Sequence, residues 1–449
     1  SEVDADYIKK NPEYRQGDYA GRTGMEMAYE EQLRGEKGYN IYLRDAHNRI
    51  KERYEEGEYD KTAVAGKDVT STIDAVLQAY GEELMQNKVG SLVAIEPSTG
   101  EILTMVSSPG LEISKLAEIN KYYQEIVTDP YKPMYNRAVM SPQPPGSVFK
   151  LVNGLIGLQE GVITPSSTYS CYGAYTVGNL RVGCHGHPSP LDFRRSIMMS
   201  CNTYYCYVFR AILDNPKYKN IRESFTIWKE YAESFGFGMK LQTDIPSEQA
   251  GTMPTAEWYD RLHGKNRWRS LSIISLAIGQ GEIGSTPLHL ANLAAIIANR
   301  GWFYTPHLQK DMPDNPIDSR FKELHYTMVD TTWFKYVVDG MYLAVNGGPG
   351  ATGRLANVPG LDVCGKTGTA QNPHGNDHSI FICFAPKENP RIAVAAYIEN
   401  AGFGSSWAAP ISSLLVEKYL NGEISPGRKW LETNMINGYL LDRVTVRRR

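Results

Sequence analysis

The chain has 449 residues, of which 47 are basic and 50 acidic, for a formal net charge of −3. Hydrophobic residues make up 42% and charged residues 22%, which excludes a mostly disordered chain, and the near balance of charge gives no ground for expecting nucleic acid as a partner. No run of about 18 apolar residues reads as a membrane span, and the length predicts about two or three domains that fold without help from disulfides or metals.

The polar start, SEVDADYIKKNPEYRQGDY, carries no apolar signal segment and reads as cut from something longer. GMEMAYEEQLRGEKG then spaces Met25, Ala28, Tyr29 and Leu33 at helical intervals between glycine stops. From Val69 the character changes. Thr70, Ser71 and Thr72 offer caps for a helix whose apolar face is Ile73, Val76, Leu77, Tyr80 and Leu84. Ser91–Pro109 reads as a β-hairpin around Glu-Pro-Ser-Thr-Gly, and Asp377–Asn400 repeats the pattern around Pro386–Pro390. Between them the periodicity is helical in SVFKLVNGLIGLQEG, PLDFRRSIMMSCNTYYCYVFRAIL and PLHLANLAAIIANRG. Strands early, helices in the middle and strands late predict an α+β fold: an antiparallel sheet flanked by helices. The DRVTVRRR end reads as a solvated basic tail.

Three short patterns carry candidate chemistry. Ser147-Val148-Phe149-Lys150 is an S-x-x-K; a helix beginning at Ser147 puts the hydroxyl and the amine on one face. Burial and cationic neighbours lower a lysine's pKa, and a neutral amine is a competent base. Ser319-Arg320-Phe321-Lys322 fits the same pattern but has no partner motif. Ser200-Cys201-Asn202, an S-x-N near the end of an apolar helical run, supplies a second hydroxyl and an amide for a substrate. Lys366-Thr367-Gly368-Thr369 supplies a cation and hydroxyls suited to a carboxylate, a bare backbone at Gly368, and an N–H at Thr369 for an oxyanion. Gly402-Phe403-Gly404 lacks the fuller spacing of a phosphate loop.

In this order the three patterns form the signature of active-serine, penicillin-recognising acyl transferases. With RQGDYAGRTGMEMAYEEQLRGEKG, LVAIEPSTGEILTMVSSP, GQGEIGSTPLHLANLAAIIANRG and GKTGTAQNPHGNDHSIFICFAP, the chain resembles the class B penicillin-binding proteins of the elongation-type, penicillin-binding protein 2 branch, over about Arg15 to Leu420. The resemblance implies a transpeptidase domain of the serine β-lactamase-like fold at 69–430, a truncated N-terminal pedestal at 1–68 and a C-terminal tail at 431–449. It implies Ser147 as nucleophile, Lys150 as its base, Ser200 and Asn202 as second motif, and Lys366, Thr367, Gly368 and Thr369 as the strand motif. Catalysis then needs no cofactor. The implied substrates are peptidoglycan stem peptides ending in D-Ala-D-Ala, cross-linked through an acyl-serine intermediate and mimicked by β-lactam antibiotics. The implied partners are a glycosyltransferase and shape-determining proteins, engaged through the pedestal. The implied place is the periplasmic face of the cytoplasmic membrane, with an N-terminal anchor helix absent from this sequence. A D,D-carboxypeptidase, a β-lactamase-like hydrolase and a penicillin-binding sensor are the competing readings.

The six cysteines are too few for a disulfide scaffold, yet four fall between Cys171 and Cys206 with two histidines among them. Cys171, Cys184, His187 and Cys201 suit a structural zinc, with His185 the second choice because adjacent residues do not easily aim at one ion. A set of buried thiols and a Cys171–Cys184 disulfide are the alternatives. Some elongation-type members are similar in carrying a structural zinc here, with a cysteine in the middle of the S-x-N, which supports Cys201.

Overall fold

The computed structural model describes residues 2–443; the end of the expected tail, 444–449, lies outside the described residues. The chain divides into two units. The first comprises the residues up to Thr72 together with Asp244–Pro246 and His307–Asp318, so two short segments from within 69–430 belong to it. The reason lies in one buried carboxylate. Asp244 accepts the backbone N–H groups of Leu308 (2.8 Å) and Gln309 (3.0 Å) and the hydroxyl of Tyr29, while the Thr72 N–H reaches Leu308 O at 2.8 Å. The predicted Gly24–Gly38 helix is broken into Gly24–Ala28 and Glu30–Leu33 at Tyr29, whose φ of −117° leaves the helical region.

In the second unit Gly90–Ile95 (β1), Ile102–Ser108 (β2), Cys364–Ala370 (β3), His378–Ala385 (β4) and Ile392–Ile398 (β5) form one sheet in the order β2-β1-β5-β4-β3, with every neighbour antiparallel. Both predicted hairpins are present, and the late pair is inserted so that β5 lies against β1. The sheet is buried on both faces, which explains its nearly unbroken apolar strands. Helix Pro287–Ala298 crosses one face. Thr286 caps it by accepting from His289 N, and Pro287 sits where a missing N–H costs nothing.

Helices Ala75–Met85, Ala408–Asn421 and Lys429–Asn437 lie over the other face, where Leu77, Leu84, Leu92, Phe381, Leu414 and Leu431 share one apolar cluster. Two expectations are corrected here. The first of these helices is capped by Asp74, which accepts from Val76 N and Leu77 N at 3.0 Å, and not by the Thr70–Thr72 hydroxyls; Val76 faces solvent. The segment read as a tail from 431 instead buries Leu431, Met435 and Leu440, each such side chain contributing about 1.5–3 kcal/mol by leaving water. The polar residues between those three hid the helical stripe.

Candidate active site

The three sequence patterns meet at the free edge of the sheet. Ser147 lies in a 3-10 turn, Gly146–Phe149, that runs into helix Lys150–Gln159, so residues 147 and 150 stand nearly above one another. The turn opens at Gly146 with φ +58°, and a Cβ there would come within 2.8 Å of Thr369 O and 3.3 Å of Thr369 N. Only glycine lets the Ser147 segment lie this close to the Lys366–Thr369 strand. Gly368 faces the same turn; its missing Cβ would meet Val148 Cγ1 at 3.2 Å.

The second pattern is placed by a break that periodicity did not reveal. The predicted continuous helix through Ser200 is two helices, Phe193–Met198 and Asn202–Leu213, so the S-x-N opens a helix rather than ending one. Ser200 has φ +52°, a left-handed conformation uncommon for serine, and the Cys201 sulfur caps the second helix by accepting from Tyr204 N at 3.3 Å. The cap and the strained residue turn Ser200 and Asn202 toward the lysines.

Lys150 is fully buried and donates from Nζ to Ser200 O (2.7 Å) and Asn202 Oδ1 (2.6 Å), with Ser200 Oγ at 3.3 Å. Burial pulls its pKa down to about 8. Lys366 Nζ lies 2.7 Å from Ser200 Oγ and donates to Thr367 O at 2.8 Å. Burial first, and the Lys150 charge second, hold Lys366 well below the ordinary lysine range. The Ser200 hydroxyl therefore bridges two buried amines that disfavour each other's charge. Ser147 itself is half-buried, and its hydroxyl makes no hydrogen bond among the described residues. The direct approach of Lys150 to Ser147 expected from the i, i+3 spacing is not made here. A buried amine takes the oxygens within reach, and the second motif supplies them.

Thr367 donates from Oγ1 to Thr352 Oγ1 at 3.0 Å, and Thr352 Oγ1 donates to Met198 O at 3.1 Å, which ties the strand motif to the helix before Ser200. Thr352 lies in GGPGATG, whose composition signals only a loop, and sequence reasoning missed it. The edge position of β3 leaves alternate backbone groups without a ladder partner. Thr369 O is one of them, since it accepts from Gln280 Nε2 at 3.2 Å, and in an antiparallel strand the N–H of the same residue points the same way. Gly404 lies against the backbone of this strand: a Cβ there would strike Ile380 O at 2.2 Å and Gly368 O at 2.4 Å. That contact, and not a phosphate, accounts for the glycine.

Cys171, Cys184, His187 and Cys201 converge, with one donor atom from each lying within 4.8 Å of all the others. Cys184 Sγ is 3.5 Å from His187 Nε2 and 3.9 Å from Cys201 Sγ. Four donors about 2.1–2.3 Å from a tetrahedral ion stand roughly 3.4–3.8 Å apart, so the set fits zinc in chemistry, and the Cys184–His187 and Cys184–Cys201 separations are close to that spacing. All six cysteines are free, and no Cys171–Cys184 disulfide exists. His187 Nδ1 lies 2.8 Å from Pro188 O, which fixes the tautomer that leaves Nε2 a donor to metal. His185 is not part of the convergent set. The Cys184 thiol is pulled down, chiefly by its contact with the Cys201 thiol. Cys184 Sγ also accepts from Asn202 N at 3.3 Å, so the cluster touches the second motif directly. Cys206, Cys364 and Cys383 are buried thiols pushed up by burial, as small core residues are.

Residues 90–417 match the family described as the penicillin binding protein transpeptidase domain, and residues 1–71 match the penicillin-binding protein dimerisation domain. The chain is similar to the peptidoglycan D,D-transpeptidase MrdA of Acinetobacter baumannii, at 32% identity over 417 residues that cover 86% of this chain and 58% of that one. It is similar to the crystal structure of PBP2 of Pseudomonas aeruginosa in complex with WCK 5153, at 30% identity and a TM-score of 0.77, covering 95% of this chain and 88% of that one. A further likeness is to a solved structure concerning polymerization and crosslinking by a peptidoglycan synthase complex, at 26% identity and a TM-score of 0.77, covering 94% and 74%. The chain thus spans about three fifths of the length of the curated relative, 58%.

Proposed function

Because the chain belongs to the penicillin-binding protein transpeptidase family, we propose that it is the catalytic part of a peptidoglycan D,D-transpeptidase that cross-links stem peptides during cell-wall elongation. The observation that carries the reading is the Ser200 hydroxyl held between Lys150 and Lys366, beside a nucleophile segment packed on Thr369. Ser147 Oγ attacks the carbonyl of the penultimate D-Ala, and Lys150, in the neutral form that burial makes accessible near pH 8, takes its proton as substrate draws the two together. The backbone N–H groups of Ser147 and Thr369 receive the oxyanion. The proton passes through Ser200 and Lys366 to the leaving D-Ala nitrogen, and Asn202 holds the substrate's amide. Lys366 and Thr369 hold its terminal carboxylate against the bare backbone of Gly368, and the Thr367 hydroxyl, which rests on Thr352 Oγ1, turns to it when substrate binds. An amine from a second stem peptide then resolves the acyl-serine and completes the cross-link.

Incubation with penicillin is expected to add one drug mass, which peptide mapping places on Ser147, and Ser147→Ala is expected to take up none. Folded protein that keeps its unmodified mass after long incubation sinks the proposal. Rapid turnover of the penicillin would point instead to a hydrolase.

Cys171, Cys184, His187 and Cys201 would hold a structural zinc. Four protein donors leave no open position, so the ion's chemistry is to tie the loop that carries Ser200 and Asn202 rather than to act on substrate. The dimerisation-type residues 1–71 are the proposed contact for a glycosyltransferase and shape-determining partners. That assignment draws on the likeness to the synthase-complex structure. The proposed setting is the periplasmic face of the cytoplasmic membrane, with anchorage outside the described residues, none of whose helices is long and apolar enough to cross a membrane.

A further inference from the structure

Gly279 and Gln280 follow the 3-10 helix Ser270–Ile278 and form a tight turn. Gly279 adopts φ +67° and donates to Leu276 O at 3.2 Å, and Gln280 N donates to Ser275 O at 3.1 Å. The turn is anchored from beneath. Asn153 Nδ2 donates to Leu276 O and Ala277 O, both at 3.1 Å, and Asn153 Oδ1 accepts from Trp228 Nε1 at 2.8 Å. Asn153 and Trp228 are fully buried, so the base of the turn is rigid.

From this base the turn reaches two other segments. Gly279 O accepts the N–H of Gly146 at 2.9 Å, and a Cβ on Gly279 would come within 2.2 Å of Gly146 O. On its other side Gln280 Nε2 donates to Thr369 O at 3.2 Å. Gly146 precedes the nucleophile, whose N–H is one oxyanion donor; Thr369 supplies the other. The free edge of β3 gives the Thr369 carbonyl no strand partner, so the Gln280 amide is what the fold offers it. Among the described residues, Gln280 makes no side-chain hydrogen bond to Ser147 or to either lysine.

We propose that Gln280 is a positioning residue of the oxyanion pocket: with Gly279 it brackets the two segments that carry the backbone donors, and its side-chain amide fixes how Thr369 presents its N–H. The inference rests on the acyl-serine reading above. Its consequence is selective. Loss of the amide leaves the shape of the cleft intact and loosens one donor, so the covalent step slows while initial binding is kept.

The test separates the two steps. For wild type, Gln280→Leu and Gln280→Glu, acylation by a fluorescent penicillin is followed at several concentrations to give the noncovalent dissociation constant and the acylation rate constant; the final labelling stoichiometry gives the active fraction. Deleting an oxyanion donor outright costs about 10²–10³-fold, so an indirect loosening in Gln280→Leu is expected to cost about tenfold in the acylation rate constant, with the dissociation constant within about threefold of wild type. Gln280→Glu is expected to be slower still, because its carboxylate faces the Thr369 carbonyl. An acylation rate constant within about twofold of wild type, a loss lying wholly in the dissociation constant, a loss matched by the active fraction, or a glutamate variant faster than the leucine one each overturns the proposal. Wild-type protein that takes no label removes the transpeptidase reading and this inference together. Normal wild-type labelling with unchanged variants removes only the inference.

Discussion

The Ser200 hydroxyl lies 2.7 Å from the Lys366 amine, although 166 residues separate the two in sequence. The same hydroxyl is 3.3 Å from Lys150, so it is the only side-chain oxygen among the described residues hydrogen-bonded to both amines. Ser200→Ala removes the bridge and leaves both lysines in place. Penicillin acylation is expected to slow by about 100-fold, the scale of a lost proton-transfer group, with an unchanged circular dichroism spectrum. Acylation within a few-fold of wild type would mean that the proton does not travel this way.

The depressed pKa of Lys150 gives a pH dependence. The neutral base becomes available as pH rises through about 8, far below the ordinary lysine value of 10.5, so the acylation rate constant is expected to rise between about pH 6.5 and 9 and to level off above. For stability the sign is the same. The folded state binds fewer protons than the unfolded chain between about 8 and 10.5, so this group makes the protein more stable as pH rises across that window. A stopped-flow pH profile that is flat from 6.5 to 9 would contradict the assignment of Lys150 as base.

Metal content tests the cysteine–histidine cluster. About one zinc per chain is expected after exhaustive dialysis, and Cys184→Ser is expected to lose it together with several degrees of thermal midpoint. Acylation should fall in parallel, because Cys184 Sγ also accepts from the Asn202 N–H. Less than about 0.2 zinc per chain in the wild type would end the proposal.

Glu417 and Arg428 form a buried pair that makes no hydrogen bond to Ser147, Ser200 or either active-site lysine among the described residues. Arg428 donates to Glu417 and, at 2.6 Å, to Ser413 Oγ, and Glu417 also accepts from Ser425 N at 3.0 Å. Glu417→Ala strands the guanidinium and is expected to cost about 3–5 kcal/mol in denaturant unfolding, while the double replacement Glu417→Leu with Arg428→Met recovers part of the loss. A single-variant cost below about 1 kcal/mol would show that solvent reaches the pair.

Gly404 offers a structural route to the active site. The Cβ of Gly404→Ala would press on Ile380 O and Gly368 O, so the substitution is expected to cost about 1–3 kcal/mol and to slow acylation by displacing β3. Unchanged unfolding and labelling would mean that the loop yields without moving the strand.

Much of this protein was legible in one dimension. Hairpins are local, so turn residues between apolar runs placed β1 with β2 and β4 with β5, and the distance between the pairs in sequence implied a sheet closed by a long helical excursion. Ser147, Lys150, Ser200, Asn202 and the Lys366–Thr369 stretch could be picked out because the proposed chemistry asks for certain residue types at fixed local spacing, and the cysteines and His187 because the proposed zinc does; the structure brings each group together. Residues whose roles depend on contact rather than type were not legible. Thr352 and Gln280 look like loop residues until the fold brings them to Thr367 and Thr369. The break at Ser200 is hidden because the apolar period runs straight through it, and the strain is sustained only by tertiary contacts. Periodicity reports which face of an element avoids water; it carries no information about which distant backbone group that element will meet, and here that meeting decides where the protons and hydrogen bonds go.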